Sequence, residues 1–383
     1  MKRQWTAIIG ISLLLALLLS ACMGENEETD MNHQPVNQET NTNPPVNVED
    51  EASELSSAYE VAAAHLQAPW SIDFDDDTIF ISERDGAIVK VEDGEISREA
   101  VQLSIPVHQQ GEGGFMGFVL DPDFAVTRQA YAYYTYMDNG TILNRIVALQ
   151  YSGSEWNEVN PLLEQIPGSS VHNGGRLAIG PDGLLYATTG DARIEALSQD
   201  QASLAGKILR LNLDGSIPEE NPFDDSYIYS WGHRNPQGLA WDSDRRLFSS
   251  EHGPSGNPGG HDEINLIEPG LNYGWPAIIG DDTKQGMVAP LYHTGSDTLA
   301  PSGMALTADN ELLVAGLRGQ KLVRFHSDMN GYEVLLENEG RLRDVKVYQG
   351  DIYVLTNNTD GRGQASDVDD RLIVLRSEGG RNE

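Results

Sequence analysis

The sequence predicts an all-β fold, a six-bladed β-propeller of four-stranded antiparallel blades. Three observations predict it. One strand–turn–strand pattern recurs six times along the chain. Each copy joins a short apolar strand to a strand rich in Leu, Val, Ile and Tyr through a turn of Asp, Pro, Gly or Asn. No long helical periodicity interrupts the series.

The copies run in order. SIDFDDDTIFISERDGAIVKV starts at Ser71, GFVLDPDF with AYAYYTY at Gly117, and RLAIGPDGLLYATTGD at Arg176. GLAWDSDRRLFSSEHG comes next at Gly238, then GMALTADNELLVAGLRGQKLVRF at Gly303 and DVKVYQGDIYVLTNN at Asp344. They are spaced roughly 40 to 65 residues apart. Most copies continue into a third strand, such as GKILRLNLDG or KLVRFHS. A single meander of this kind cannot bury both faces, and radial packing of neighbours solves that. A two-sheet sandwich is the alternative, but it needs no repeated turn formula.

The ends of the chain read differently. Residues 1–21 are expected to be a lipoprotein signal peptide: Lys2 and Arg3 precede an apolar run, Ile8 to Leu19, that is short for a membrane span. The run ends in Leu19-Ser20-Ala21-Cys22, which resembles a bacterial lipobox and implies lipid on Cys22; ordinary secretion is the alternative. Cys22 is the only cysteine, so the body has no disulfide and no thiolate metal site. Residues 22–58, rich in Glu, Asn, Thr and Pro, are too polar to offset ordering entropy and read as a tether. The propeller is expected over 59–378, with a tail at 379–383. The protein is therefore expected to be exported and anchored by lipid alone, facing outside the cytoplasm.

The net charge is −34, from 25 basic and 59 acidic residues, which excludes a nucleic-acid partner. In such a chain, clustered cations are informative. Inner strands of a propeller converge on one channel, so matching places in successive copies meet at its mouth. His172 stands in SSVHNGGRLAIGPDG, before the inner strand of the third copy. There Gly174 and Gly175 permit close backbone approach. A neutral imidazole at a channel mouth can take a proton; an inert loop histidine is the other reading. WGHRNPQGLAWD places Arg234, Asn235 and Gln237 before the fourth copy. Arg234 there is either an anion ligand or a loop lock. GLRGQKL carries Arg318, and GRLRDVKV carries Arg341 and Arg343, which point to one face. Arg234, Arg318, Arg341 and Arg343 together favour a planar, polyanionic ligand. SSEHGPSGNPGGHDEINLIEPGLNYGWP is dense in Gly and Pro, with Asp262 and Glu263. It is either a long structural loop or an oxygen-only site suited to calcium. A zinc site is less attractive, because His252 and His261 lack a regular ligand spacing.

Taken together, GEGGFMGFVLDPDF, HNGGRLAIGPDG, LAGKILRLNLDGSIPEENPF, GHRNPQGLAWD, EHGP with DEINLIEPGLNYGWP, APSGMAL and RLRDV resemble, in that order, the soluble quinoprotein sugar dehydrogenases, the glucose/sorbosone and aldose sugar dehydrogenase family. The resemblance runs from Ala68 to about Leu375. It implies a propeller that holds pyrroloquinoline quinone (PQQ) and calcium over its channel and oxidises a small-molecule sugar, with an external electron acceptor the sequence does not identify. It implies that His172 is the catalytic base and that Arg234 and Asn235 lie beside the reactive carbonyl. Arg318, Arg341 and Arg343 match the cations that hold the cofactor carboxylates. Glu112, in GEGG, stands where the family often has glutamine near the cofactor. Gly253 and Pro254 match carbonyls that hold the cofactor calcium, and Glu263 and Tyr273 match ligands of a second calcium. Four departures stand out, and Glu112 in place of glutamine, a negative charge near an anionic cofactor, is the first. Val171 occupies a place where some members have aspartate, so the imidazole must be oriented from elsewhere. Arg318 replaces a lysine, and NPGGH is inserted in the calcium loop. A calcium-dependent propeller lactonase and a non-catalytic carbohydrate-binding propeller are the competing functions.

Overall fold

The computed structural model describes residues 59–256 and 259–377. The signal peptide, Cys22, the tether through residue 58 and the tail at 379–383 lie outside the described residues. Among the described residues no helix is long and apolar enough to cross a membrane.

The regular secondary structure of the described chain is almost entirely β, with one helical turn at Phe124–Thr127 and one 3-10 turn at Glu195–Gln199. Its strands fall into antiparallel runs of four. The first run is Pro69–Asp75, Thr78–Glu83, Ala87–Glu92 and Glu95–Gln102. The second is Phe115–Leu120, Gln129–Asp138, Thr141–Tyr151 and Trp156–Pro167. The next three open with Leu177–Ile179, Pro236–Trp241 and Pro301–Leu306. The last run opens with Leu342–Tyr348 and continues through Asp351–Thr356 and Leu372–Leu375. Its outermost strand is Glu60–Ala63, from the other end of the domain, paired Glu60 to Val374 and Val61 to Ile373. Five sheets result, because a short parallel bridge, Val101 to Trp156 and Gln102 to Asn157, joins the first two runs into one eight-stranded sheet.

The repeated turn formula has a backbone cause. The first hairpin of most runs turns through a residue in the left-handed region: Asp76 (φ 48°), Gly183 (φ 78°), Arg245 (φ 64°), Asn310 (φ 61°) and Gln349 (φ 51°). Two-residue hairpins need such positions, and Asp, Asn and Gly supply them at least cost.

Burial follows the expected gradient. Phe115–Leu120, the first strand of its run, is buried throughout, whereas Glu95–Gln102, a fourth strand, is mostly exposed. Each first strand packs on the first strand of the next run, and Leu342–Tyr348 packs back on Pro69–Asp75. The apolar side chains form six clusters, each spanning the contact between two successive runs. One cluster joins Ile72, Ile81 and Val89 to Leu355 and Leu372, across the seam between the ends of the domain.

Candidate active site

His172 lies in a tight turn before the third run. Its own backbone is left-handed (φ 59°), and Gly174 (φ 61°) lies two residues on. A Cβ on Gly174 would lie 2.6 Å from the Thr188 carbonyl oxygen, so only glycine permits this approach. The turn is stitched to its neighbour by Asn235, whose Oδ1 accepts the Gly174 N–H at 3.0 Å. The imidazole Nδ1 is 2.8 Å from Asp191 Oδ1. Asp191 is almost fully buried and accepts two more bonds, from the Arg193 N–H at 2.8 Å and from Trp275 Nε1 at 2.9 Å. A carboxylate at Nδ1 makes that nitrogen the donor and leaves Nε2 as the free acceptor. The orientation that Val171 cannot supply thus comes from Asp191, nineteen residues on.

A cavity of about 380 Å³ opens beside this histidine. Glu112, His172, Arg234, Gly253, Pro254, Arg318, Arg341 and Arg343 all line it. Arg362 lines it too, so five guanidinium groups face two lining carboxylates, Glu112 and Asp262. Asp262 is already occupied by the Gly253, Leu299 and Ala300 N–H groups. Arg343 is buried and hydrogen-bonded to neutral partners, Asn357 Oδ1 at 2.7 and 3.0 Å, Gln237 Oε1 at 2.9 Å and Ser302 Oγ at 3.3 Å, with Asp360 a long ion pair away at 3.9 Å. Burial pulls its pKa down to about 9, which leaves it charged at neutral pH. Arg341 pairs with Asp360 at 3.1 Å. Buried Arg234 reaches only the His252 carbonyl and Ser255 Oγ, and its Nε has no partner. Arg318 is exposed and makes no hydrogen bond or ion pair among the described residues. Poorly compensated cations around one hollow fit a ligand that carries several carboxylates.

A family model described as "Glucose / Sorbosone dehydrogenase" matches residues 66–373. The chain belongs to the glucose/sorbosone dehydrogenase family. It is a sugar dehydrogenase by class. Aldose sugar dehydrogenase of Escherichia coli is 30% identical over 79% of this chain and 90% of its own length. Quinoprotein glucose dehydrogenase B of Acinetobacter calcoaceticus is 34% identical, over 61% of this chain and 56% of its own length. Among solved structures, the PQQ-bound form of aldose sugar dehydrogenase from Streptomyces coelicolor is similar with a TM-score of 0.75 and 38% identity, covering 82% of this chain and 96% of that one.

The remaining residues anticipated for this dehydrogenase lie away from the cavity wall. Asn235 is fully buried behind it, acting on the His172 turn. Glu263 faces Glu251 across a strand pair. Burial and then Glu251 push Glu263 up to about 8. Glu251 itself holds the GHRN turn, accepting the Arg234 and Asn235 N–H groups and bonding His233 Nδ1 at 2.9 Å. The Tyr273 ring stacks on His233 at 4.9 Å. Its hydroxyl donates to the Leu266 carbonyl and accepts the Glu268 N–H, so it is spent on the loop. Among the described residues no three His, Cys, Asp or Glu side chains form a metal cage. A hard cation at this mouth would therefore draw on main-chain oxygens of the Gly253–Pro254 stretch and on the ligand itself. Asn257 and Pro258 of the NPGGH insertion lie outside the described residues, while Gly259 and Gly260 line the cavity.

Sequence reasoning missed Asp191, Asp360, Arg84 and Arg362. It also missed the Arg176–Asp344 pair (3.0 Å), in which Arg176 lies over the Trp70 ring at 4.3 Å. This pair is buried at the inner strands, where Asp344 also accepts the Ile72 N–H.

Proposed function

We propose that this protein oxidises aldose sugars at the anomeric carbon to lactones, using PQQ and calcium held at the mouth of a six-bladed propeller. One observation carries the reading: arginines from separate runs meet around a cavity whose wall also holds an oriented imidazole. The blade count rests on six four-stranded runs, six inter-run cores and the packing of the last run on the first. A hydrolase of neutral lactones has no use for so many cations.

Arg318, Arg341 and Arg343 would hold the cofactor carboxylates, and Arg234 would face developing negative charge. Main-chain oxygens of Gly253 and Pro254 would hold the cofactor calcium, and Glu263 and the Tyr273 backbone a second one. When bound, the quinone supplies the two-electron hydride acceptor and calcium a Lewis acid beside it. His172 Nε2 takes the proton of the anomeric hydroxyl. Asp191, bonded to Nδ1, fixes the tautomer in which Nε2 is the acceptor and stabilises the imidazolium afterwards. Trp275, held by its bond to Asp191, forms one wall of an adjoining recess of about 530 Å³ shared with Arg193 and Glu195, where the sugar would sit. We further propose that Cys22 carries the lipid that holds the enzyme at the outer face of the membrane.

The test is reconstitution of purified protein with PQQ and calcium, and then dye reduction over a panel of aldoses. Quinone-dependent turnover is expected. Failure of the protein to bind the quinone would overturn the assignment, and lactone hydrolysis without quinone would replace it.

A further inference from the structure

Glu112 stands among the cavity arginines, yet both of its carboxylate oxygens are committed within the protein. Oε2 accepts the main-chain N–H of His172 at 2.9 Å, and Oε1 accepts Arg362 Nη1 at 2.6 Å. Burial works against this carboxylate, but His252, Arg362 and the His172 amide outweigh it and hold the group at about 2.

The loop that presents Glu112 is tied down from two sides. Buried Arg84 donates through Nη2 to the carbonyls on either side of it, Gly111 and Gly113, each at 2.6 Å. The Glu112 N–H donates to the Ser170 carbonyl at 2.7 Å. Gly111 (φ 60°) runs so close that a Cβ would fall 2.0 Å from that same oxygen. On the other side, Arg362 hangs from Asp360, which accepts the Arg362 N–H at 2.8 Å and pairs with Arg341. A continuous path of ion pairs and hydrogen bonds therefore joins Arg341, Asp360, Arg362 and Glu112 to the backbone of His172. At its end, His172 adopts a left-handed conformation (φ 59°), which costs a residue with a side chain more than the ordinary extended or helical regions.

We infer that Glu112 is a positioning residue, which clamps the strained backbone of His172 and is itself held by Arg362, rather than a ligand of the cofactor. The inference deepens the proposed function and rests on it for its kinetic consequence. Glutamine would keep an oxygen for the His172 N–H but would turn an amide N–H₂ toward Arg362, donor against donor.

The test uses the full chain with Glu112→Gln, Glu112→Ala and Arg362→Met. Three quantities are measured: PQQ affinity by absorbance titration, kcat at saturating PQQ and sugar, and amide hydrogen exchange in the 168–176 segment without PQQ. Glu112→Ala is expected to speed His172 amide exchange about tenfold or more and to lower kcat about tenfold or more, with PQQ affinity changed less than about threefold. Glu112→Gln is expected to keep the amide protected and to lose less of kcat. Arg362→Met should fall between the two in both readouts. A tenfold loss of PQQ affinity with kcat at saturation intact would make Glu112 a cofactor ligand and overturn the inference. Unchanged exchange in Glu112→Ala would overturn it as well. If the wild-type protein does not turn over, the functional reading falls separately, and the exchange data still decide whether the clamp exists.

Discussion

Asp191→Asn isolates the charge behind His172 from its geometry. Asp191 Oδ1 receives two donors, His172 Nδ1 and the Arg193 N–H, whereas Oδ2 receives only Trp275 Nε1. An asparagine therefore keeps its oxygen on the two-donor side and turns its N–H₂ toward the indole. The imidazole tautomer survives, but the carboxylate charge behind Nδ1 is lost. Charge-assisted bonds contribute about 1.5–3 kcal/mol and neutral ones about 0.5–1.5. The imidazolium formed in the transition state thus loses about 1–2 kcal/mol, or about 5- to 30-fold in kcat. Trp275 Nε1 now meets another donor, and a stranded polar group costs about 1–3 kcal/mol of stability. At roughly 2–4 °C per kcal/mol for a domain of somewhat smaller size, the Tm should fall. The assay is steady-state dye reduction at saturating PQQ and sugar, paired with calorimetry. Asp191→Ala, which strands all three donors, should lose more of both. A kcat for Asp191→Asn within twofold of wild type, or a change confined to KM, would refute the orienting role.

Two further predictions concern the ligands themselves. Replacing Arg341 and Arg343 together by methionine removes two charge-assisted contacts of about 1.5–3 kcal/mol each, so PQQ affinity should fall about 10²- to 10⁴-fold by calorimetric titration; unchanged affinity would remove the proposed pocket. Glu263 has a folded-state pKa raised above its unfolded value by burial and Glu251. Without metal, the stability it contributes is fully present below the ordinary carboxylate pKa of 4.5 and is lost as pH rises toward about 8. Calcium bound between the ionised carboxylates reverses that loss, so the Tm difference between calcium and chelator should grow as pH rises across this window. A difference that is independent of pH would count against a cation at Glu263.

Much of the fold was legible because its repeating signal is local. The hairpin turns need left-handed residues, and DDD, PDG, DSDR, ADN and QG supply them at Asp76, Gly183, Arg245, Asn310 and Gln349. The second run departs from that formula: its first hairpin passes through the helical turn at Phe124–Thr127 and leaves through Arg128 (φ 54°). The closing strand, Glu60–Ala63, was not legible as a partner of Leu372–Leu375. Its pairing spans the whole domain, and four residues carry too short a pattern to announce a partner. Short fourth strands such as Tyr292–His293 leave equally little periodicity to read.

The site was half legible, for a reason rooted in composition. Against 59 acidic residues, each of the 25 basic ones carries information, and Arg234, Arg318, Arg341 and Arg343 stood out by their sign. The same background hides the acids that matter. Asp191 and Asp360 look like any other aspartate, although one orients the imidazole and the other pairs with Arg341. Register, rather than type, would have found Asp191. In five of the six runs, a residue at or just beyond the end of the second strand is chemically committed. Glu83 ends Thr78–Glu83 with Arg84 next to it, Asp191 lies two residues past Leu185–Thr189, and Glu251 ends Leu247–Glu251. Arg318 lies two residues past Leu312–Gly316, and Asn357 directly past Asp351–Thr356. Four of these hold a loop or a side chain of the cavity: Arg84 the GEGG loop, Asp191 the His172 imidazole, Glu251 the GHRN turn, Asn357 the Arg343 guanidinium. Where side chains of one sign crowd the sequence, position within the repeat discriminates where residue type does not, because in five of the six runs the fold puts that position to work on the cavity or on the loops that build it.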